Sequence, residues 1–341
     1  MQEKDLYAAI DLHSNNNYLA IIDGNDRRRF EKRLKNEIGA VVEALAPFRE
    51  RITAVAVEST FNWYWLVDGL EDAGYTVRLV NTSAVQQYEG LKYSDDRHDA
   101  FWLAHLMRLG ILPTGHIQPR GHRALRDLAR KRMRMVEQRT ANILSIQGMQ
   151  QRNEGVRMTT NQIKAQSTET IAAAETDPNR ALALRSTQSI ILALDEQIET
   201  IEKSLLKQVR PDPVWKLLQT VWGIGPVLAT VIRLETGALA RFADVGNYVS
   251  YCRCVKSLRT SNGKKKGEGN VKNGNNYLAW AFIEAANFAM RNYETARRYH
   301  ERKARATKPI VARKALAHKL ARASFFVMRD QTPFVPARLF G

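Results

Sequence analysis

Four acidic residues stand where this chain would bring carboxylates together. Asp11 directly follows the apolar run at residues 6–10, and Glu58 follows Val55-Ala56-Val57 in the same way. Side chains at strand ends feed the loops in which functional groups accumulate. Asp96 and Asp99 lie three apart in Ser94-Asp95-Asp96-Arg97-His98-Asp99, with the helical run 101–106 behind them. They therefore share one helical face, with Ser94 or Asp95 as the cap. Taken singly, each acid is a turn residue, a cap or a first-turn acid favoured by the helix dipole. Taken together they form a set whose mutual repulsion a divalent cation relieves. Mg²⁺ is held by one or two carboxylates plus water and phosphate oxygens, and a pair of such ions supports phosphoryl transfer.

The elements that must position these acids alternate along the first hundred residues. Runs at 6–10 and 18–22, the turn Asp23-Gly24-Asn25-Asp26 and a weaker alternation at 29–34 read as three antiparallel strands. A helix over 37–48, a β-branched strand at 52–57, a helix over 62–72 and a strand at 75–80 follow. That order predicts a mixed sheet flanked by helices, as in ribonuclease-H-like folds. Residues 123–152 read as one long helix, and 154–180 as a polar, loosely held connector. Leu184, Ile191, Ile198 and Leu205 then recur every seven residues, with Leu194 and Ile201 between them. Such a seam serves either a coiled-coil partner or the helix's own domain. Beyond Pro211 and Pro213, two short helices flank Gly223-Ile224-Gly225-Pro226. This is either a helix-hairpin-helix whose glycines admit a phosphate or a plain helical hairpin. The expected fold class is α/β plus α, with a mixed-sheet metal domain over 1–120, a helical coiled-coil spacer over 121–210 and a mostly helical domain over 211–341.

Composition narrows the partner. The chain has 341 residues and a formal charge of +17, with 44% hydrophobic and 26% charged residues, which excludes a disordered chain and points to a polyanion. Lys256, Arg259, Lys264, Lys265, Lys266 and Lys272 fill a loop interleaved with glycines, which suits phosphates approached by backbone. Arg120, Arg123, Arg126, Arg130, Arg132 and Arg134 mark a second candidate nucleic-acid surface. Cys252 and Cys254 fit a reducing compartment and lack a second ligand pair for zinc. The seven histidines form no recognised metal motif, and there is no phosphate-binding loop of the Gly-x-x-x-x-Gly-Lys kind. No run approaches the ~18 apolar residues of a membrane span, so no membrane partner is expected.

Ala9-Ile10-Asp11, Val57-Glu58-Ser59-Thr60 and Asp96-Arg97-His98-Asp99-Ala100 resemble the acidic motifs of the Piv/MooV-type insertion-sequence transposases. These are the bridge-RNA-guided DNA recombinases with a RuvC-like Asp-Glu-Asp-Asp domain. Gly223-Ile224-Gly225-Pro226, Arg241-Phe242-Ala243 and Lys272-Asn273-Gly274-Asn275 resemble that family's second, transposase-type domain, and the motifs keep its order. The resemblance implies that Asp11, Glu58, Asp96 and Asp99 hold one or two Mg²⁺ ions in a RuvC-like domain. It implies a serine nucleophile in the second domain, matched by spacing to Ser261, with Ser257 as the alternative. It further implies a 5′-phosphoserine intermediate, a structured guide (bridge) RNA, donor and target DNA, and a bacterial, nucleoid-associated cytoplasmic location. The heptad seam suggests assembly, expected as a tetramer of two dimers, and the resemblance implies that the acids of one subunit meet Ser261 of another. The chain departs from the pattern at Arg253-Cys254-Val255-Lys256, at Thr260-Ser261-Asn262 and at Phe61. Two rival readings use the same residues. One is a Mg²⁺-dependent structure-specific nuclease or junction resolvase, and the other is a non-catalytic nucleic-acid-binding protein.

Overall fold

A computed structural model describes residues 5–85, 95–173, 175–256, 259–267 and 273–340. They divide into two compact units: one from the residues up to Ile117 together with Asn273, the other from Gln118 to Gly267 and from Gly274 onward.

The first unit begins with the strands β1 (Leu6–Leu12), β2 (Asn16–Asp23) and β3 (Arg28–Lys35) and the helix α1 (Ile38–Leu45). Next come β4 (Ile52–Glu58), α2 (Tyr64–Asp72), β5 (Val77–Val80) and α3 (Asp96–Arg108). The five strands form one sheet in the order β3-β2-β1-β4-β5. The first three are antiparallel, and β4 and β5 run parallel to β1. This is the ribonuclease-H-like mixed sheet that the strand order predicts. Period-two alternation sends Leu6, Ala8, Ile10 and Leu12 into one core with Val41, Leu45, Leu66 and Leu70 from α1 and α2. The opposite face is floored by alanines. Ala9 pairs in register with Ala20 on one side and Ala56 on the other, and all three pack with Ala100 and Ala104 of α3. Small side chains on both surfaces let α3 lie close on the sheet, which carries its first-turn acids to the strand ends.

The second unit opens with two long helices, α4 (Arg120–Glu154) and α7 (Pro178–Val209), separated by the short α5 (Thr160–Lys164) and α6 (Thr168–Ala172). The segment expected to be a loose connector is therefore structured. Thr159 and Gln162 form a capping box at the start of α5, and Ile163 and Ile171 are buried. The long helices pair antiparallel, with Arg132 bound to Glu202 and Arg139 to Asp195. The heptad positions Leu184, Ile191, Ile198 and Leu205 are buried within this unit, Leu184 and Ile191 against Ile143 and Ile146 of α4. The seam thus follows the second of its two readings, a helix packed on its own chain.

The remaining helices and strands are α8 (Pro213–Leu218), α9 (Pro226–Thr236), α10 (Val245–Tyr251), β6 (Arg259–Ser261), β7 (Lys264–Gly267), α11 (Asn276–Asn292), α12 (Glu294–Ala306), α13 (Pro309–Asp330) and α14 (Ala337–Phe340). Tyr248, Phe282, Leu316 and Leu320 centre their core. The chain around Gly223 is packed against α11. A Cβ on Gly223 would lie 2.1 Å from the Ala285 carbonyl oxygen, and its φ is +81°. The backbone that this glycine admits is the chain's own. No described helix is long and apolar enough to cross a membrane.

Candidate active site

The sheet register brings the first two acids together. Ile10 pairs with Val57, so Asp11 and Glu58 come next on adjacent parallel strands, and both lie on the alanine face that α3 covers. Asp95 caps α3 by accepting the His98 N–H at 2.8 Å, which fixes the start of the helix. Asp99 then joins Asp11 and Glu58 in a cleft of about 340 Å³, whose other walls are Thr82, Val85, Trp102 and Leu103. Asp96 reaches a neighbouring cluster instead. Its Oδ1 lies 3.1 Å from His13 Nε2, which lies 3.2 Å from Asp11 Oδ2. All four acids expected from the sequence are therefore within one strand-end region, and Asp11 belongs to both groups.

The electrostatics follow from this crowding. Asp11 is only 4% exposed, and burial raises its carboxyl above the ordinary range, with the negative charges of Asp99 and Asp96 adding to the rise. Glu58 is pushed up to about 8, first by burial and then by its hydrogen bond to Asp11 and the charges of Asp11 and Asp99. Near neutral pH the Glu58 carboxyl thus keeps a proton and donates it to Asp11. A cation would take over that neutralising role.

The donor set fits a divalent ion. Ligand atoms of Asp11, His13 and Asp96 lie within 4.8 Å of one another. His13 Nε2 is buried and close to two carboxylate oxygens, yet it is not aligned for a hydrogen bond to either. An imidazole nitrogen left this way among carboxylates has the geometry of a ligand awaiting an ion. Sequence reasoning missed His13, although the Asp11-Leu12-His13 spacing was the available signal. It also missed Arg33, whose Nη2 sits 2.7 Å from Asp96 Oδ2, because that contact joins positions 63 residues apart.

In the second unit, Ser261 ends β6 and pairs with Lys264, the first residue of β7. Asn262 (φ +49°) and Gly263 (φ +70°) form the two-residue turn between them, so the expected basic loop contains a hairpin. The Asn262-Gly263 dipeptide announces this turn in the sequence. Ser261, Lys264 and Lys266 are exposed, as is Lys256 ahead of the hairpin. Arg259 and Lys265 lie on the hairpin backbone, whereas Ser257 and Lys272 fall outside the described residues. The chain around the hairpin is tied to the helical core. The Asn275 N–H donates to the Tyr251 carbonyl at 2.6 Å, and the Asn275 side chain donates to Glu235 at 2.7 Å. Glu235, 2% exposed, also accepts Arg130 Nε and Nη2 at 2.6 and 2.8 Å.

That network engages arginines of the second expected nucleic-acid surface. Arg130 is committed to Glu235. Arg123 is 4% exposed, with its Nε donating to the Gln118 carbonyl. Arg126 is also buried, and Arg132 is paired with Glu202. Packing of α4 against α7 and α9 buries Arg123 and Arg126 and pairs Arg130 and Arg132 within the chain, while Arg120 and Arg134 stay exposed.

With this geometry in place, comparison with known proteins is informative. A DEDD-type IS110 transposase model matches residues 8–152, which hold all four acids and His13. A second model, for transposases of the IS116/IS110/IS902 family, matches residues 215–301, which hold Glu235, Ser261 and Asn275. The chain carries the two transposase domains of the IS110/IS116 family. Over 295 residues this IS110/IS116-type chain is 25% identical to a Pseudomonas aeruginosa protein named probable family 20 transposase, covering 83% of this chain and 86% of that one. Over 148 residues it is 25% identical to an uncharacterized 44.8 kDa protein of insertion element IS116 from Streptomyces clavuligerus, covering 43% and 37%.

Proposed function

We propose that this IS110/IS116-type transposase joins donor and target DNA through a covalent serine intermediate, using a divalent-metal site built from Asp11, Glu58, Asp96, Asp99 and His13. The observation that carries the reading is the crowding of carboxylates around buried Asp11, with an unaligned imidazole, at the strand ends of the DEDD domain. Mg²⁺ is the ion proposed, and when bound it would stabilise charge developing on the scissile phosphate. Ser261 Oγ attacks the phosphorus. The Oγ–P bond forms, the P–O3′ bond breaks, and the departing 3′ oxygen takes up a proton. The phosphodiester count is unchanged, so rejoining needs no ATP. Lys264 and Lys266 offer positive charge beside the nucleophile. Lys256 adds to that exposed charge, and Arg259, Lys265 and Lys272 are proposed from the sequence as further phosphate contacts. Guidance by a structured RNA rests on the family resemblance alone, and assembly as two dimers loses the support of the heptad seam, which is covered within the chain.

The test incubates the protein with its flanking noncoding RNA, end-labelled donor and target DNA, and Mg²⁺. DNA attached to protein after denaturation is then measured. The expected result is an adduct lost in both Ser261→Ala and Asp11→Asn. Cleavage without an adduct that survives Ser261→Ala but not Asp11→Asn would replace this reading with a RuvC-like nuclease. An adduct retained in Ser261→Ala and lost in Ser257→Ala would move the nucleophile to Ser257.

A further inference from the structure

Asp96 faces two ways. Its Oδ1 looks toward His13 and Asp11, while its Oδ2 is held by Arg33 Nη2 at 2.7 Å. Arg33 belongs to the edge strand β3, and two residues earlier on the same strand Glu31 accepts Arg97 Nε at 2.7 Å. The two pairs have opposite polarity and together fasten the first turn of α3 to β3. Arg33 therefore touches the cluster at one defined atom, the oxygen turned away from His13.

We propose that Arg33 sets the metal specificity of this site by holding Asp96 to coordination through a single oxygen. The inference rests on reading Asp11, His13 and Asp96 as metal ligands. Ca²⁺ takes six to eight oxygens at about 2.3–2.6 Å and commonly uses both oxygens of a carboxylate. Mg²⁺ demands near-octahedral geometry at about 2.0–2.1 Å and binds one oxygen from each of one or two carboxylates. A guanidinium on Oδ2 removes the second oxygen and leaves the first. It thus costs Ca²⁺ a ligand that the smaller ion does not use. The positive charge of Arg33 also opposes every dication, but equally for ions of equal charge, so the ratio of affinities isolates the effect of the withheld oxygen. The Glu31–Arg97 pair keeps α3 attached to β3 when Arg33 is replaced.

The experiment is calorimetric titration of the full chain, without nucleic acid, with Mn²⁺ as an octahedral probe and with Ca²⁺. Wild type, Arg33→Met, Arg33→Lys and Asp11→Asn are compared, with circular dichroism confirming the fold of each. Arg33→Met is expected to bind both ions more tightly, Ca²⁺ by about tenfold more than Mn²⁺. Arg33→Lys keeps the charge and a donor, so it moves the ratio less. Should Arg33→Met fail to fold, the ratio in Arg33→Lys decides, and no movement there overturns the inference. An equal rise for the two ions in Arg33→Met would reduce Arg33 to a charge effect and also overturn it. Binding of neither ion to wild type, or binding unchanged in Asp11→Asn, would instead bring down the metal-site reading and the inference with it.

Discussion

Asp11 and Glu58 are costly residues to place side by side. Each loses solvation, which raises both carboxyls, and Asp11 raises Glu58 further, so without a cation the site holds a proton between them. Such a cluster opposes folding unless an ion is bound. Asp11→Asn keeps the shape and removes one buried charge. Without divalent ions it is expected to melt roughly 2–4 °C above wild type, on the order of 1 kcal/mol. The upward shift that Mn²⁺ gives wild type should be absent in this variant. Differential scanning calorimetry with and without Mn²⁺ reads both effects, and a variant melting below wild type would count against the repulsion account. Asp96 and Asp99 show why spacing alone was insufficient at this scale. They share a helical face, yet Asp99 enters the cleft while Asp96 pairs with His13 and Arg33. A separation of three residues fixes a face but not which neighbours lie opposite it.

At the scale of elements, the two glycines of Gly223-Ile224-Gly225-Pro226 have different roles. A Cβ on Gly223 meets the α11 backbone at Ala285 and Ala289, and the positive φ adds strain. Gly225 begins α9 in extended backbone with open space around its Cα. Gly223→Ala is therefore expected to cost more than about 2 kcal/mol, and Gly225→Ala no more than about 1 kcal/mol. Urea unfolding midpoints measure the difference, and similar midpoints would mean that α11 yields to the new side chain. Cys252 and Cys254 are buried in the same core, and burial pushes Cys252 well above the usual thiol range and Cys254 up to about 12. The thiolate is the reactive form. Iodoacetamide at pH 8 is therefore expected to leave both unmodified in the native protein and to label both in urea, with mass spectrometry as the readout. Labelling of the native chain would show that this core opens readily.

Across the whole molecule, a charge of +17 has to be divided between folding and nucleic acid. Lys264 and Lys266 are exposed beside the Asn262-Gly263 turn, whereas Arg130 is engaged with buried Glu235. Each phosphate contact removed lowers the salt slope of binding by about one. The double change Lys264→Gln with Lys266→Gln is therefore expected to flatten the dependence of log K on log salt by about two, on any sequence. Arg130→Gln should leave that slope unchanged and lower the melting temperature, because it strands a buried carboxylate. Fluorescence anisotropy over a salt series separates the cases. A slope altered by Arg130→Gln would return α4 to the nucleic-acid surface.

The sequence by itself determined the strand order of the first unit, the long helices, the heptad face of α7 and the four acids as candidates. Each of these is written in local periodicity, or in a side chain standing at the end of an element. The Asn262-Gly263 turn and the Thr159 capping box also rest on local chemistry, but composition alone predicts a basic loop and a loose connector there. Only the tertiary structure decided what each face meets. It covered the α7 seam with the chain's own α4, drew Arg123 and Arg130 into the fold, set α11 against Gly223, and added His13 and Arg33 to the acids. These outcomes depend on which surfaces come together across tens of residues of intervening chain. Local spacing carries the period of a face, and the partner of that face is chosen by packing and charge once the chain has folded.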